Sequence, residues 1–317
     1  MRRMSTMRAV VIGVDGRAGL QTVPTPTPAD GELLVRVTAV GLCGSDVEKL
    51  GDPELAGAIL GHEIAGVVEA GPLPAGTRVT IAHRVPCGSC GRCRSGHETT
   101  CPEFLASSLR PGGFAEVLVA STRHVADAVQ VLPEQVSDVA ATFVEPLGCV
   151  LRGIASVPAG RGAVVGCGAV GLLVLRALKQ RGDTVVVADP DGARRGGALA
   201  GADGVAAAGD ELDYAVVTAP GGLNEALGLV RPGGTILAFA APSGAVPFLL
   251  DSLYRRELRL LGSRSAGPAA LRDALRLIAA GHVAVEDLAT DVLPLSAFAE
   301  GLARYRSRRA LKVVFRP

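Results

Sequence analysis

The sequence predicts a two-domain α/β protein, a β-barrel-like unit followed by a parallel sheet flanked by helices. Three observations predict it. The chain has 317 residues, more than one hydrophobic core usually serves. Up to about residue 145 it is built of short β-branched runs broken by Gly and Pro, among them ELLVRVTAVG, EIAGVVEAG, TRVTIAH and FAEVLVAS, the texture of an all-β barrel. Beyond that point GAVVGCGAVGLLVLRALKQRGDTVVVADP reads as strand, glycine-rich turn, helix, strand, which is a βαβ unit.

The elements follow in order. AVVIGV near the start is a first strand, too short for the core of a signal peptide. After the βαβ unit the alternation continues through LDYAVVTAP, EALGLVRPGG, TILAFAAP and LRLLGS to the helical PAALRDALRLIAAG. A short helix, LSAFAEGLARY, and a strand, ALKVVF, close the chain. We therefore place residues 1–145 with 287–317 in the first domain and 146–286 in the second.

Composition narrows the function classes. The chain is 48% apolar and 20% charged, with 32 basic and 31 acidic residues and a net charge of +1. No like-charge block marks a nucleic-acid or acidic-partner surface. No window supplies the roughly 18 apolar residues of a membrane span. A cytoplasmic location is expected, where thiols stay reduced. Aromatics are only 3% and Trp is absent, so a substrate pocket has few rings to stack on.

GCGAVG sets Gly166, Gly168 and Gly171 in G-x-G-x-x-G spacing between a strand and a helix. One glycine makes the tight turn, one admits a pyrophosphate to the backbone and one lets helix and strand pack closely. Ala169 and Val170 begin the helix, whose free N–H groups and positive dipole end suit phosphate. Asp189 closes the second strand, where a carboxylate takes both ribose hydroxyls and repels a 2′-phosphate, favouring NAD over NADP. Arg194 follows, placed to stack on or bond near the adenine. The alternative is a turn aspartate and a solvated arginine.

CGSCGRCRSGHETTC holds Cys87, Cys90, Cys93 and Cys101 in C-x2-C-x2-C-x7-C spacing. Four thiolates can converge on one Zn2+ at ~2.3 Å and leave no open position, which makes this lobe (87–101) structural. Arg84, Arg92 and Arg94 stand near to offset its negative charge. A disulfide pair and a zinc-ribbon nucleic-acid module are the other readings.

The chemistry then sits elsewhere. GLCGSD offers Cys43, LGHE offers His62 and Glu63, and FVEPLG offers Glu145 at the domain junction. One sulfur, one imidazole and one or two carboxylates make a zinc site that keeps a position open, the catalytic type. Taken singly, each residue also reads as ordinary core or surface. Cys149 and Cys167 read as small core residues.

With these motifs in view, the chain resembles the zinc-dependent medium-chain dehydrogenase/reductase superfamily, the alcohol and polyol dehydrogenases. The resemblance rests on GLCGSD, GHEIAGVV, CGSCGRC…C, GGFAEV, VEPLG, GCGAVG and LKVVFRP, and covers nearly the whole length. The CGSD…GHE…EPL set is similar to the sorbitol and threonine dehydrogenase branch. It implies a GroES-like catalytic domain, a Rossmann domain and an active site in the cleft between them. It implies Cys43, His62 and Glu63 as zinc ligands, with Glu145 a fourth ligand or one step away. It also implies pairing of subunits as a homodimer or homotetramer, for which GTILAFAAP offers an edge strand.

The reaction so implied interconverts a secondary alcohol and its ketone by hydride transfer from a zinc-bound alkoxide to NAD. Ser45 is placed to receive the hydroxyl proton. Two departures from the family stand out. The position where a histidine often completes the relay is Glu48. GADGVAAAGDELDYAVVTAP leaves little room for the helix the family places before its next strand, so a loop is expected there. Within the class, a polyol, cyclitol (similar to the deoxy-scyllo-inosamine dehydrogenase kind) or amino alcohol is the expected substrate. A threonine-type enzyme is the near rival, and a non-catalytic NAD-binding redox sensor the rival from another class.

Overall fold

The structure, a computed structural model, describes residues 5–240 and 245–317. Its strands are β1 (Thr6–Ile12), β2 (Ala18–Pro24), β3 (Leu33–Gly41), β4 (Glu63–Ala70), β5 (Arg78–Ala82), β6 (Val117–Ala120), β7 (Val129–Val131) and β8 (Arg161–Val165). There follow β9 (Thr184–Ala188), β10 (Gly204–Val205), β11 (Leu212–Val217), β12 (Val230–Ala238), β13 (Arg259–Gly262), β14 (Asp291–Pro294) and β15 (Val313–Arg316). The chain divides into two compact units. Met1–Glu145, Gly267–Ala279 and Val285–Pro317 form the first, and Pro146–Ala266 with Ala280–Ala284 the second. The sequence reading kept residues 267–279 with the second domain; this division groups the helix Pro268–Ala279 with the first.

In the first unit a 7-stranded sheet runs β14-β15-β3-β4-β5-β7, with β6 also on β3. β3 changes partner along its length: Leu33–Arg36 pair with β6, and Val40 and Gly41 pair with β15. Register shifts between β3 and β4, at Leu34/Val35 and Val37/Ala39, add the local twist that curls such a sheet. Alternate residues of β3 point inward, so Leu33, Val35 and Val37 are buried while Arg36 is exposed. The core they enter is closed by Phe114, Phe298 and Phe315, whose rings lie 5.1–6.0 Å apart. β1 and β2 form a separate antiparallel hairpin.

The second unit is a 6-stranded parallel sheet in the order β10-β9-β8-β11-β12-β13. This is the doubly wound order in which the first strand and its turn lie at the centre. The expected loop before β11 is present: no helix intervenes between β10 and β11. The short helix Leu223–Leu229 covers that face instead, packing Ala226, Leu227 and Leu229 against Ala163, Val165, Ala215 and Val217. Gly209 N bonds Gly228 O at 3.4 Å and ties the loop to it.

One expectation is corrected here. The stretch GTILAFAAP does not supply a free edge, because β12 lies between β11 and β13; the outer strand is β13. Residues 241 and 242 of that stretch lie outside the described residues.

Phe315→Ala removes the ring that contacts both other phenylalanines. It should destabilise the first unit by about 3–5 kcal/mol, read as a lower midpoint in urea unfolding.

Candidate metal centres and nucleotide turn

Three strands meet to make the first site. Gly41, at the end of β3, is directly opposite Glu63, the first residue of β4. Cys43 follows two residues later and caps the short helix Gly44–Lys49. His62 precedes Glu63. One ligand atom from each of Cys43, His62 and Glu63 lies within 4.8 Å of the others, the spacing at which a single ion can take all three. Glu145, in the first turn of the helix Val144–Ile154, is not in this trio. Ser45 Oγ donates to Cys43 Sγ at 3.4 Å.

Two residues that sequence reasoning did not assign complete the site. Asp46 is 1% exposed. It accepts the N–H of Cys43 at 3.2 Å, that of Gly61 at 3.4 Å and Nδ1 of His62 at 3.2 Å. The ring is thereby oriented with Nε2 free for a metal. Burial alone would raise the Asp46 carboxyl; His62 and the Cys43 N–H hold it below its usual range. Burial likewise opposes charge on His62, yet Asp46 and then Cys43 raise it well above 6.5. A metal at Nε2 therefore displaces a proton. Lys312, 6% exposed, forms an ion pair with Glu63 Oε2. Both had a signal in the sequence. Asp46 ends the GLCGSD motif, and Lys312 is a lone charge in the apolar strand run ALKVVF.

The second cluster fits a tetrathiolate. Cys87 and Cys93 sulfurs are 3.9 Å apart, Cys90 and Cys93 3.5 Å, and Cys87 and Cys101 3.6 Å. Thiolates ~2.3 Å from a central zinc stand about 3.8 Å from one another. These are not disulfide lengths, and all seven cysteines are free. Backbone N–H groups of Ser89 and then Cys90 lower the Cys87 thiol to about 6. The neighbouring arginines brace the loop: Arg92 donates to Thr100 O at 2.5 Å, Arg94 to Ser89 O, and Arg84 to Leu105 O at 2.7 Å.

In the second unit the glycine turn forms between β8 and the helix Ala169–Arg181. Gly166 has φ +104°, and a Cβ on Gly171 would overlap Gly166 O. Neither position admits a side chain. Gly168 caps the helix, and Ala169 and Val170 form its first turn, where N–H groups lack helical partners. Asp189 follows β9, its carboxylate set by the N–H of Cys167 at 2.7 Å and of Asp191 at 2.8 Å. Arg194 Nη1 lies 3.8 Å from where a Gly168 Cβ would be. Cys167 is 1% exposed; Cys149 is half-buried.

Comparison with known proteins agrees with this architecture. Residues 29–131 match the alcohol dehydrogenase GroES-like domain. The chain is 33% identical over 319 residues to D-altritol 5-dehydrogenase of Agrobacterium fabrum, covering 92% of this chain and 93% of that protein. It is 28% identical to L-galactonate-5-dehydrogenase of Escherichia coli, over 95% of this chain and 96% of the other. A zinc-binding dehydrogenase structure from Sinorhizobium meliloti, bound to NADP, superposes with a TM-score of 0.86 at 26% identity, covering 99% of this chain and 100% of that one. With a catalytic-type trio on a GroES-like unit and a glycine turn on a parallel sheet, the chain belongs to the zinc-dependent medium-chain dehydrogenase/reductase superfamily. It is an enzyme, an alcohol dehydrogenase. Among the described residues, no helix is long and apolar enough to cross a membrane.

His83 lies beside the trio, its ring 5.5 Å from that of His62 and its Nε2 accepting from Arg84 Nε at 3.0 Å. Burial, then the charges of His62, Arg84 and Lys49, lower it from 6.5 to about 3. The unfolded chain therefore binds this proton first. Its contribution to stability is complete above pH 6.5 and is lost as the pH falls toward 3. In His83→Gln the urea midpoint should fall less steeply with acid over that window than in the unmodified protein.

Proposed function

We propose that the protein is an NAD-dependent zinc dehydrogenase that interconverts a secondary alcohol of a polyol, cyclitol or amino alcohol and its ketone. The observation that carries this reading is the trio of Cys43, His62 and Glu63, with Asp46 orienting the imidazole. Bound there, zinc would supply the Lewis acidity that lowers the pKa of an alcohol oxygen. A second zinc fits the tetrathiolate of Cys87, Cys90, Cys93 and Cys101, where it would brace the loop.

The chain's own residues do the rest. Asp46 fixes the tautomer of His62. Ser45, beside Cys43, takes the hydroxyl proton and passes it outward. Glu48, exposed on the same short helix, or water receives it. The carbinol carbon gives its hydride to NAD+, leaving a ketone, NADH and the released proton. Glu145 would offer the metal an alternative carboxylate.

In the second unit, Gly166, Gly168 and Gly171 with Ala169 and Val170 receive the pyrophosphate, and Asp189 takes the ribose hydroxyls. The Sinorhizobium relative is bound to NADP, and Arg194 places a cation by the turn. The Asp189 carboxylate, held in place by two N–H groups, decides for NAD through its repulsion of a 2′-phosphate. Both curated relatives act on sugar-derived polyhydroxy compounds by name, which favours a polyol over threonine.

Metal analysis should return two zinc per chain. Cys43→Ser should lose at least about 100-fold in turnover while NAD binding, read by fluorescence titration, is unchanged. Full activity in that variant defeats the assignment. NAD reduction assayed across polyols, cyclitols and threonine separates the substrate classes; no turnover with any of them supports the redox-sensor reading.

The pairing surface of a homodimer is β13. Leu260 on it is 42% exposed, and Leu250 and Tyr254 on the helix Leu250–Arg255 are 66% and 82% exposed. Ser263 N bonds Ala238 O at 3.3 Å, so by alternation Leu260 turns its own N–H outward. Leu260→Pro should leave the β12 ladder intact and shift the protein to monomer by light scattering.

A further inference from the structure

The short helix Gly44–Lys49 brings a cation as well as a sulfur to the trio. Lys49 follows Ser45 by four residues and Asp46 by three, which makes it the neighbour of both on the helix surface. Asp46 does not serve as its partner, because both carboxylate oxygens already accept from Cys43 N, Gly61 N and His62 Nδ1. Among the described residues the half-buried Lys49 forms neither an ion pair nor a side-chain hydrogen bond. Its charge nevertheless acts on Asp46 and on His83. The ammonium therefore stands on the side of the site where His83 lies.

His83 is a second donor without an acceptor. Arg84 Nε donates to its Nε2 at 3.0 Å, so the ring proton sits on Nδ1. No group takes that proton among the described residues. The residue is held in place from both ends: His124 Nε2 bonds its carbonyl at 3.1 Å, and Arg84 is anchored on Leu105 O at 2.7 Å. Its ring lies 5.5 Å from that of His62. The charge count points the same way. With His62 ligating as neutral imidazole, a divalent ion and Lys312 would balance Cys43, Asp46 and Glu63. Lys49 is then a surplus cation beside the site.

Resting on the reading of the trio as the seat of alcohol oxidation, we infer that the substrate is a polyhydroxy acid, its carboxylate held by the Lys49 ammonium and the Nδ1–H of His83. A carboxylate has two oxygens, and this pair gives one of them a charge-assisted bond and the other an ordinary one. A neutral alditol or cyclitol can accept both protons but leaves a half-buried cation uncompensated. An amino alcohol adds a second positive charge beside the first and is repelled. The reaction is unchanged by this assignment. The carbinol carbon gives its hydride to NAD+, the hydroxyl proton is released, and the carboxylate stays ionised throughout.

The test pairs each acid with the alditol of the same configuration: gluconate with glucitol, galactonate with galactitol, altronate with altritol. In NAD reduction by the zinc-loaded full chain, kcat/KM should be at least about 10-fold higher for the acid of the pair that is turned over best. Lys49→Gln and Lys49→Met should each lower that ratio at least about 10-fold, through KM, and Lys49→Arg should retain it. His83→Phe, which removes a neutral donor, should lower it about 3-fold. Calorimetric titration without NAD gives a readout independent of turnover: the acid should bind more tightly than its alditol, and Lys49→Gln should erase the difference. A ratio at or below one, or a ratio that both neutral Lys49 variants leave unchanged, overturns the inference while alcohol oxidation stands. Turnover of a cyclitol or threonine with none of the acids does the same. If no alcohol reduces NAD at all, the dehydrogenase reading fails first and takes the inference with it.

Discussion

The structure of the first unit turns on the burial of like charge. Asp46 and Glu63, each 1% exposed, both lie close to Cys43 and His62. Such a cluster survives only if each anion has a hydrogen-bond donor or cation held in place by the fold. Asp46 has backbone N–H groups and His62; Glu63 has Lys312. Each of those partners comes from a different stretch of chain, so the β3–β4 and β3–β15 registers must be right together. A slip of one residue on either side would turn Glu63 or Lys312 to the opposite face.

The second unit solves a different problem, with backbone rather than charge. Gly166 and Gly171 allow a strand, a turn and a helix to come closer than side chains permit. Asp189 then spans the gap between the ends of β8 and β9 by accepting the N–H of Cys167. No helix lies between β10 and β11, and the Leu223–Leu229 helix packs against Ala163, Val165, Ala215 and Val217 of the central strands. The unit can be trimmed there because what defines it is the centre of the sheet, and that centre is whole.

Much of this was legible in the sequence. The glycine turn, the four-cysteine spacing and the Cys43, His62 and Glu63 motifs are local signals, each set by chemistry that tolerates few other residues. The loop before β11 was legible as simple shortage of chain. What the sequence hid was pairing. Asp46 reads as an ordinary residue of a short helix until Gly61 and His62 are seen folded against it. Lys312 lies far along the chain from Glu63, and nothing in ALKVVF names its partner. The same blindness made β12 look like an edge, since only the sheet order shows that β13 covers it.

The order of the segments along the chain carries a consequence for biogenesis. The first unit is assembled from three pieces separated by the second, and β15, which sits beside β3, is translated long after β3 and β4. Until it emerges from the ribosome, the Glu63 side chain has no lysine and the barrel lacks an inner strand. The parallel sheet, by contrast, can close while synthesis is still under way. Nascent chains should therefore acquire their nucleotide-type domain first and remain open, with acidic ligands exposed to water and metal, until the last strand docks.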